Sequence, residues 1–264
     1  MRPRLWAAEA AGTALLVLGA MSAIAWVLGD GSPFGGLSDS ARLLVTGALV
    51  GTLVAMIVVS PLGRLSGAHL NPAITLAYAA ARMLCAADAT AYIAAQLAGA
   101  VAGGLVFRGL WGSVAVSVGG GVTHPVVGTG VALGLEAAMT AMLVVMIFWF
   151  TSRERLMTWT PLMLVPLLAL LIWQGSPYTG TSLNPARSAG PAIAFADLTD
   201  LWLYFVAPIA GALAAAFAWR GAMPPQAALG TTHRSGRSGR LSPRRSEVKA
   251  IVPIVSGSQN RITR

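Results

Sequence analysis

Two stretches gather the polar groups of an otherwise hydrocarbon-rich chain. They are Ser66-Gly67-Ala68-His69-Leu70-Asn71-Pro72-Ala73 and Gly180-Thr181-Ser182-Leu183-Asn184-Pro185-Ala186-Arg187-Ser188. Both contain Leu-Asn-Pro-Ala. Proline suits the first position of a helix, where its fixed φ fits and its missing N–H would have no partner, and the preceding asparagine is a good N-cap. Each tetrapeptide therefore predicts a helix start, the helices running to about Arg82 and about Phe195. Some ten residues at about 1.5 Å each reach only half-way across a bilayer. If the two N-termini meet near the middle, both positive dipole ends point at one spot. The stretches ahead of them, Ser66–Leu70 and Thr179–Leu183, must then be non-helical. Unpaired backbone at that depth is tolerated only where it lines a wet cavity or is buried in protein. The chemistry on offer is hydrogen bonding to a neutral polar molecule in a water-filled path.

Bond-making chemistry has no candidates. The three histidines, His69, His124 and His233, lie far apart, and no metal spacing, hydrolytic triad, phosphate loop or dinucleotide fingerprint occurs in a plausible context. The single cysteine, Cys85, excludes an intramolecular disulfide. No enzyme activity, catalytic residue, metal or cofactor is expected.

The elements that must position these stretches are membrane spans. The chain has 264 residues, 56% hydrophobic and 10% charged, with a mean hydropathy of +0.70. Six apolar runs are long enough to cross about 30 Å of hydrocarbon, at roughly 5–28, 41–60, 89–110, 129–150, 156–174 and 201–220. The first is too long for a signal segment and carries Glu9, so it reads as a span. Six spans put both termini on one side. That side is cytoplasmic by the distribution of basic residues, since all of them except Arg42, Arg108 and Arg187 fall there or in the tail. Residues 221–264, rich in Ser, Gly, Pro and Arg, account for most of the net charge of +9 and read as a basic disordered cytoplasmic tail beside anionic lipid, with no nucleic-acid partner.

The tetrapeptide belongs to a longer repeat. Glu9-Ala-Ala-Gly-Thr13 in the first span matches Glu136-Ala-Ala-Met-Thr140 in the fourth, dividing residues 1–220 into halves of about 1–112 and 129–220. Each half holds three spans, so the second enters from the opposite side. Inverted repeats of this kind place their sites near the midplane. The expected fold is an all-α membrane protein with six transmembrane helices plus two half-spanning re-entrant helices. An intramembrane carboxylate is a functional candidate, such as a proton relay. The alternative for Glu9 and Glu136 is that each accepts N–H bonds from a neighbouring non-helical stretch and so holds it in shape.

At this point the sequence resembles the aquaporin, or major intrinsic protein, family. The resemblance rests on the two quoted stretches, the Glu9 and Glu136 motifs, Ala95-Gln96 with Gly99, and Pro208 with Gly211, and it covers residues 1–220. It implies a right-handed bundle with a pore in each subunit of a homotetramer, set in an inner or plasma membrane. The pore motifs would be Asn71, Pro72, Ala73, Asn184, Pro185 and Ala186, with the two asparagines donating to the permeant. Carbonyls of Gly67, Ala68, His69, Gly180, Thr181 and Ser182 would accept along one wall. Glu9 and Glu136 become structural buried acids. Such a path passes water and small neutral solutes and opposes cations, which would lose hydration and meet two positive helix ends and Arg187.

The family's constriction has four positions, and counting from the two asparagines places them at Gly51, Ile172, Thr181 and Arg187. Water-selective members usually carry an aromatic and a histidine at the first two. Gly51 and Ile172 would open the path to glycerol, urea or metalloid hydroxides, whereas a register one residue off would put Val50 or Trp173 there and narrow it. Ser188, Ala192 and Tyr204-Phe205 match the water-channel pattern instead, so the two sets of markers disagree. Cys85 lies away from the constriction, and weak mercury sensitivity is expected. The rivals are a coupled secondary transporter, which lacks a coupling site beyond the two glutamates, and a non-conducting structural protein, which would not need intact Asn71, Asn184 and Arg187.

Overall fold

The computed structural model describes residues 2–222, and the tail expected at 221–264 lies outside them from residue 223 onward. Among the described residues, six helices are long and apolar enough to cross a membrane. They are α1 (Pro3–Leu28), α2 (Asp39–Val59), α5 (Ala86–Ser117), α6 (Thr129–Thr151), α8 (Thr160–Thr179) and α10 (Leu201–Ala222). The half-length helices are α4 (Pro72–Ala80) and α9 (Pro185–Ala194), and two short helices, α3 (Pro61–Ser66) and α7 (Glu154–Met157), complete the set. Among the described residues there is no strand.

The bounds depart from the expected ones where a local break outweighs hydropathy. The fifth span starts at Thr160, with a proline in its first turn, and leaves residues 154–157 as the separate turn α7. It continues through Pro177 to Thr179, because a proline in the last turn removes one N–H and the helix end follows at once. The third span extends to Ser117 but is kinked at Gly112, whose φ is 50° and ψ −120°.

The two halves match element by element. In the first half α1 packs on α5, in the second α6 packs on α10, and α2 meets α8 across the halves. Lipid offers no hydrophobic drive between helices, so close approach through small residues does much of the joining. Gly99 in α5 lies against the backbone of Ala10 in α1, and Gly211 in α10 against that of Ala137 in α6. A Cβ at either glycine would overlap a neighbouring carbonyl oxygen. The half-helices are wedged into this frame, α9 against α5 and α4 against α10.

Candidate functional site

Both re-entrant stretches are built the same way. Asn71 and Asn184 cap their half-helices, each side-chain oxygen accepting the N–H of the second helical residue, Ala73 at 2.8 Å and Ala186 at 2.9 Å. Proline occupies the first helical position in both. The caps are tied to each other across the molecule. Asn71 Nδ2 donates to the Leu183 carbonyl at 2.8 Å, and Asn184 Nδ2 donates to the Leu70 carbonyl at 2.9 Å. A carboxamide has two N–H donors. Each asparagine thus spends one on the opposite motif and keeps one for the cavity that both side chains line.

The stretches before the caps are strained in matching positions. Positive φ values occur at Gly67, Ala68 and Leu70 (91°, 50° and 53°) and at Gly180, Thr181 and Leu183 (71°, 47° and 56°). For residues with a Cβ this conformation costs about 1 kcal/mol each, and something must hold it. Glu9 accepts the N–H groups of His69 at 3.0 Å and Leu70 at 2.8 Å; Glu136 accepts those of Ser182 and Leu183, both at 2.9 Å. Gln96 Nε2 adds a third donor to Glu9 at 2.6 Å, and the Thr179 hydroxyl a third to Glu136 at 2.7 Å. With their N–H groups drawn to the carboxylates, the carbonyls of Gly67, Ala68, His69, Gly180, Thr181 and Ser182 receive no donor among the described residues.

A second pair of anchors repeats too. Tyr92 donates its hydroxyl to the Ser66 carbonyl at 2.8 Å, and Tyr204 donates to the Thr179 carbonyl at 2.7 Å. Each closes the last turn before a re-entrant stretch. Tyr92 carried no expectation; the available signal was its spacing, because the two tyrosines lie 26 and 25 residues after the carbonyls they bind.

These pieces enclose a cavity of about 320 Å³. One wall is the two stretches, contributing Ala68, His69, Leu70 and residues Gly180 to Asn184; Gly67 does not reach it. The other wall is aliphatic, with Val50, Val54 and Val58 from α2 and Leu164, Leu168 and Ile172 from α8. Of the four constriction candidates, Ile172, Thr181 and Arg187 line the cavity together. Arg187 Nη1 donates to the Gly121 carbonyl at 2.8 Å, which lays the guanidinium along the wall.

Gly51 is the exception, and its placement corrects the sequence reading. Its missing Cβ faces away from the cavity, 2.9 Å from Val165 Cα and 2.7 Å from the Val165 oxygen. Gly47, one turn earlier, faces Ala169 in the same manner. Gly47-x-x-x-Gly51 is thus a small-residue seam that lets α2 and α8 touch, and the cavity side of α2 belongs to Thr46, Val50 and Val54. Trp173 is absent from the lining, its indole N–H held by Ser40 at 2.6 Å.

The segment between α5 and α6 supplies groups that had no signature in the sequence. The glycines at 119–121 all have positive φ, from 59° to 68°. This turn delivers the Gly121 carbonyl to Arg187, and the Thr123 hydroxyl to that of Ser188 at 2.8 Å. Ser188 continues to the Ser182 hydroxyl at 2.6 Å, so a buried chain of hydroxyls links this segment to the second re-entrant stretch. Cys85, exposed as the N-cap of α5, is not among the cavity-lining residues.

With the paired caps and the cavity between them defined, the comparisons with known proteins become decisive. The family model described as "Major intrinsic protein" matches residues 3–219. The chain belongs to the major intrinsic protein family. It is similar to Aquaporin-6 of Mus musculus, 38% identical over 57% of this chain and 52% of that protein. It is also similar to the Glycerol uptake facilitator protein-like 6 of Lactiplantibacillus plantarum, 39% identical over 60% of this chain and 76% of that one. The match thus spans about half the length of the mouse protein. Among solved structures, the aquaglyceroporin from Plasmodium falciparum shares the fold with a TM-score of 0.67 at 22% identity, over 84% of this chain and 97% of that one. This member of the family carries two asparagine caps, two carboxylate anchors and an arginine three residues after the second cap.

Proposed function

We propose that this protein is a passive pore whose principal permeant is water, with ions and protons excluded. The observation that carries the reading is the reciprocal tie between Asn71 and Asn184. It leaves one N–H of each amide for a cavity along one wall of which the carbonyls of Ala68, His69, Gly180, Thr181 and Ser182 receive no donor among the described residues. A neutral molecule that both donates and accepts exchanges its hydrogen bonds there one for one. A cation loses hydration, faces the positive ends of α4 and α9, and passes the Arg187 guanidinium.

Water rather than a larger solute follows from Val50 standing where Gly51 was expected. An isopropyl group beside Ile172, Thr181 and Arg187 leaves a narrower opening than a glycine would. A second reading, additional passage of glycerol or urea, is favoured by the aliphatic wall of Val50, Val54 and Ile172, against which a carbon backbone could lie. Both termini would be cytoplasmic in an inner or plasma membrane, with four copies assembling as in the family.

Stopped-flow light scattering on proteoliposomes tests this. Shrinkage under an impermeant osmolyte should be fast and re-swelling under glycerol or urea slow; shrinkage no faster than in empty vesicles would overturn the pore. Arg187→Ala should keep or raise water flux while cation leak, read with a potential-sensitive dye, rises about tenfold, corresponding to roughly 1.4 kcal/mol of lost barrier. Unchanged leak would mean that the helix ends and desolvation exclude ions without Arg187.

A further inference from the structure

The segment from Gly121 to Val126 is held to the second half of the protein at four points. Gly121 accepts from Arg187, Thr123 exchanges a hydrogen bond with Ser188, and the Val126 N–H donates to the Tyr178 carbonyl at 2.8 Å. Those three bonds involve no imidazole. The fourth sets one between two carboxylates. His124 Nε2 lies 3.1 Å from an Asp197 oxygen and Nδ1 lies 2.8 Å from an Asp200 oxygen, on the turn between α9 and α10.

Two ring nitrogens facing two carboxylates can both donate only as imidazolium. Neutral imidazole has a single N–H, and its other nitrogen would set a lone pair against a carboxylate oxygen. We propose that His124 is a positioning residue for the pore. Protonated, it clamps the Gly121–Val126 segment to Asp197 and Asp200 and keeps the Gly121 carbonyl on Arg187; deprotonated, it gives up one of the two bonds and loosens that hold. The inference rests on the pore reading above.

The groups around the clamp fix the sign. Asp197 and Asp200 face the ring directly, Arg187 lies behind Gly121, and Tyr178 and Tyr204 flank the segment through backbone at the end of α8. The backbone N–H and the side chain of Thr199, joined by His124, hold the Asp197 carboxyl below the usual carboxylate range. Asp197 therefore stays ionised over the range in which an imidazole titrates. Charge on His124 is thus the variable. As it is lost, Arg187 is less firmly kept against the wall and spends more time across the lumen, so water flux falls as pH rises.

The test is water permeability of proteoliposomes with the same pH on both sides, stepped from 5.5 to 8. The parent should lose about threefold in flux, the size expected when one partly exposed ionic hydrogen bond shifts a two-state population. His124→Arg, charged throughout and able to reach both carboxylates, should be flat at the high level; His124→Ala should be flat at the low level. A parent with flux above empty vesicles but no slope overturns the clamp alone. A slope retained in His124→Arg overturns it too, and that variant answers the question even if His124→Ala folds poorly. Background flux at every pH would sink the pore reading and the clamp together.

Discussion

Glu136→Gln should lower the melting temperature of the detergent-solubilised protein by roughly 5–15 °C and cut its water flux at least about tenfold. The side chain keeps its shape, so the effect isolates one lost acceptor. Glu136 takes the N–H of Ser182 on one oxygen, with the Thr179 hydroxyl, and that of Leu183 on the other. A carboxamide offers one oxygen, and its NH₂ must then face a backbone N–H that has no water to turn to. An orphaned buried donor costs about 1–3 kcal/mol, more when a charged acceptor is lost. The strain at Thr181 and Leu183, φ 47° and 56°, loses its counterweight at the same moment. Glu9→Gln should cost less, because Gln96 already lies against Glu9 and can turn its own carbonyl toward the new amide. Thr140→Val should be nearly silent, since the Thr140 hydroxyl only returns to the Glu136 carbonyl one turn back. Equal shifts for Glu136→Gln and Thr140→Val, read by thermal unfolding, would mean that the carboxylate does not hold the stretch.

What could be read from the sequence is what backbone geometry imposes on residue type. A helix start inside a membrane needs a cap and tolerates proline, so Asn71-Pro72 and Asn184-Pro185 are visible as letters. Non-helical backbone at that depth needs a fixed acceptor, and a glutamate in each of two otherwise apolar spans is conspicuous. Repetition turned each weak signal into a strong one. The Gly121–Val126 segment was not legible, because its role comes from which carbonyl ends beside Arg187, and any residue can supply a carbonyl. Ser188 stood out only as a family marker; its place in a hydroxyl chain depends on Thr123, which approaches from another element.

The span-two position failed for a different physical reason. Counting back from Asn71 assumes that helical phase persists, yet α2 ends at Val59, Ser60 adopts ψ 166°, and a new helix, α3, begins at Pro61. Phase is lost at that break, so a fixed count cannot say which face of α2 a residue occupies. The motif Gly47-x-x-x-Gly51 was the better guide, since glycines four apart in a span mark a helix contact.

The two placements make opposite predictions for a bulky residue at position 51. On the sequence register, Gly51→Phe would plug a wide pore and leave the fold intact. In the structure the ring would have to occupy the place of the Val165 backbone, with even the first carbon 2.7 Å from its oxygen. α2 and α8 would separate, and overpacking of this kind costs about 1–3 kcal/mol or more even where side chains can yield. The expected result is little folded protein in size-exclusion chromatography. Val50→Phe is the matched substitution, because Val50 faces the cavity opposite the polar wall. It should elute and melt like the parent while reducing water flux about three- to tenfold and any glycerol or urea entry to background, the aromatic restoring a barrier to carbon-bearing solutes. If instead Gly51→Phe folds and excludes solutes selectively while Val50→Phe unfolds, α2 is rotated by about 100° relative to the arrangement described, and the aliphatic wall and the argument for water as principal permeant both change with it.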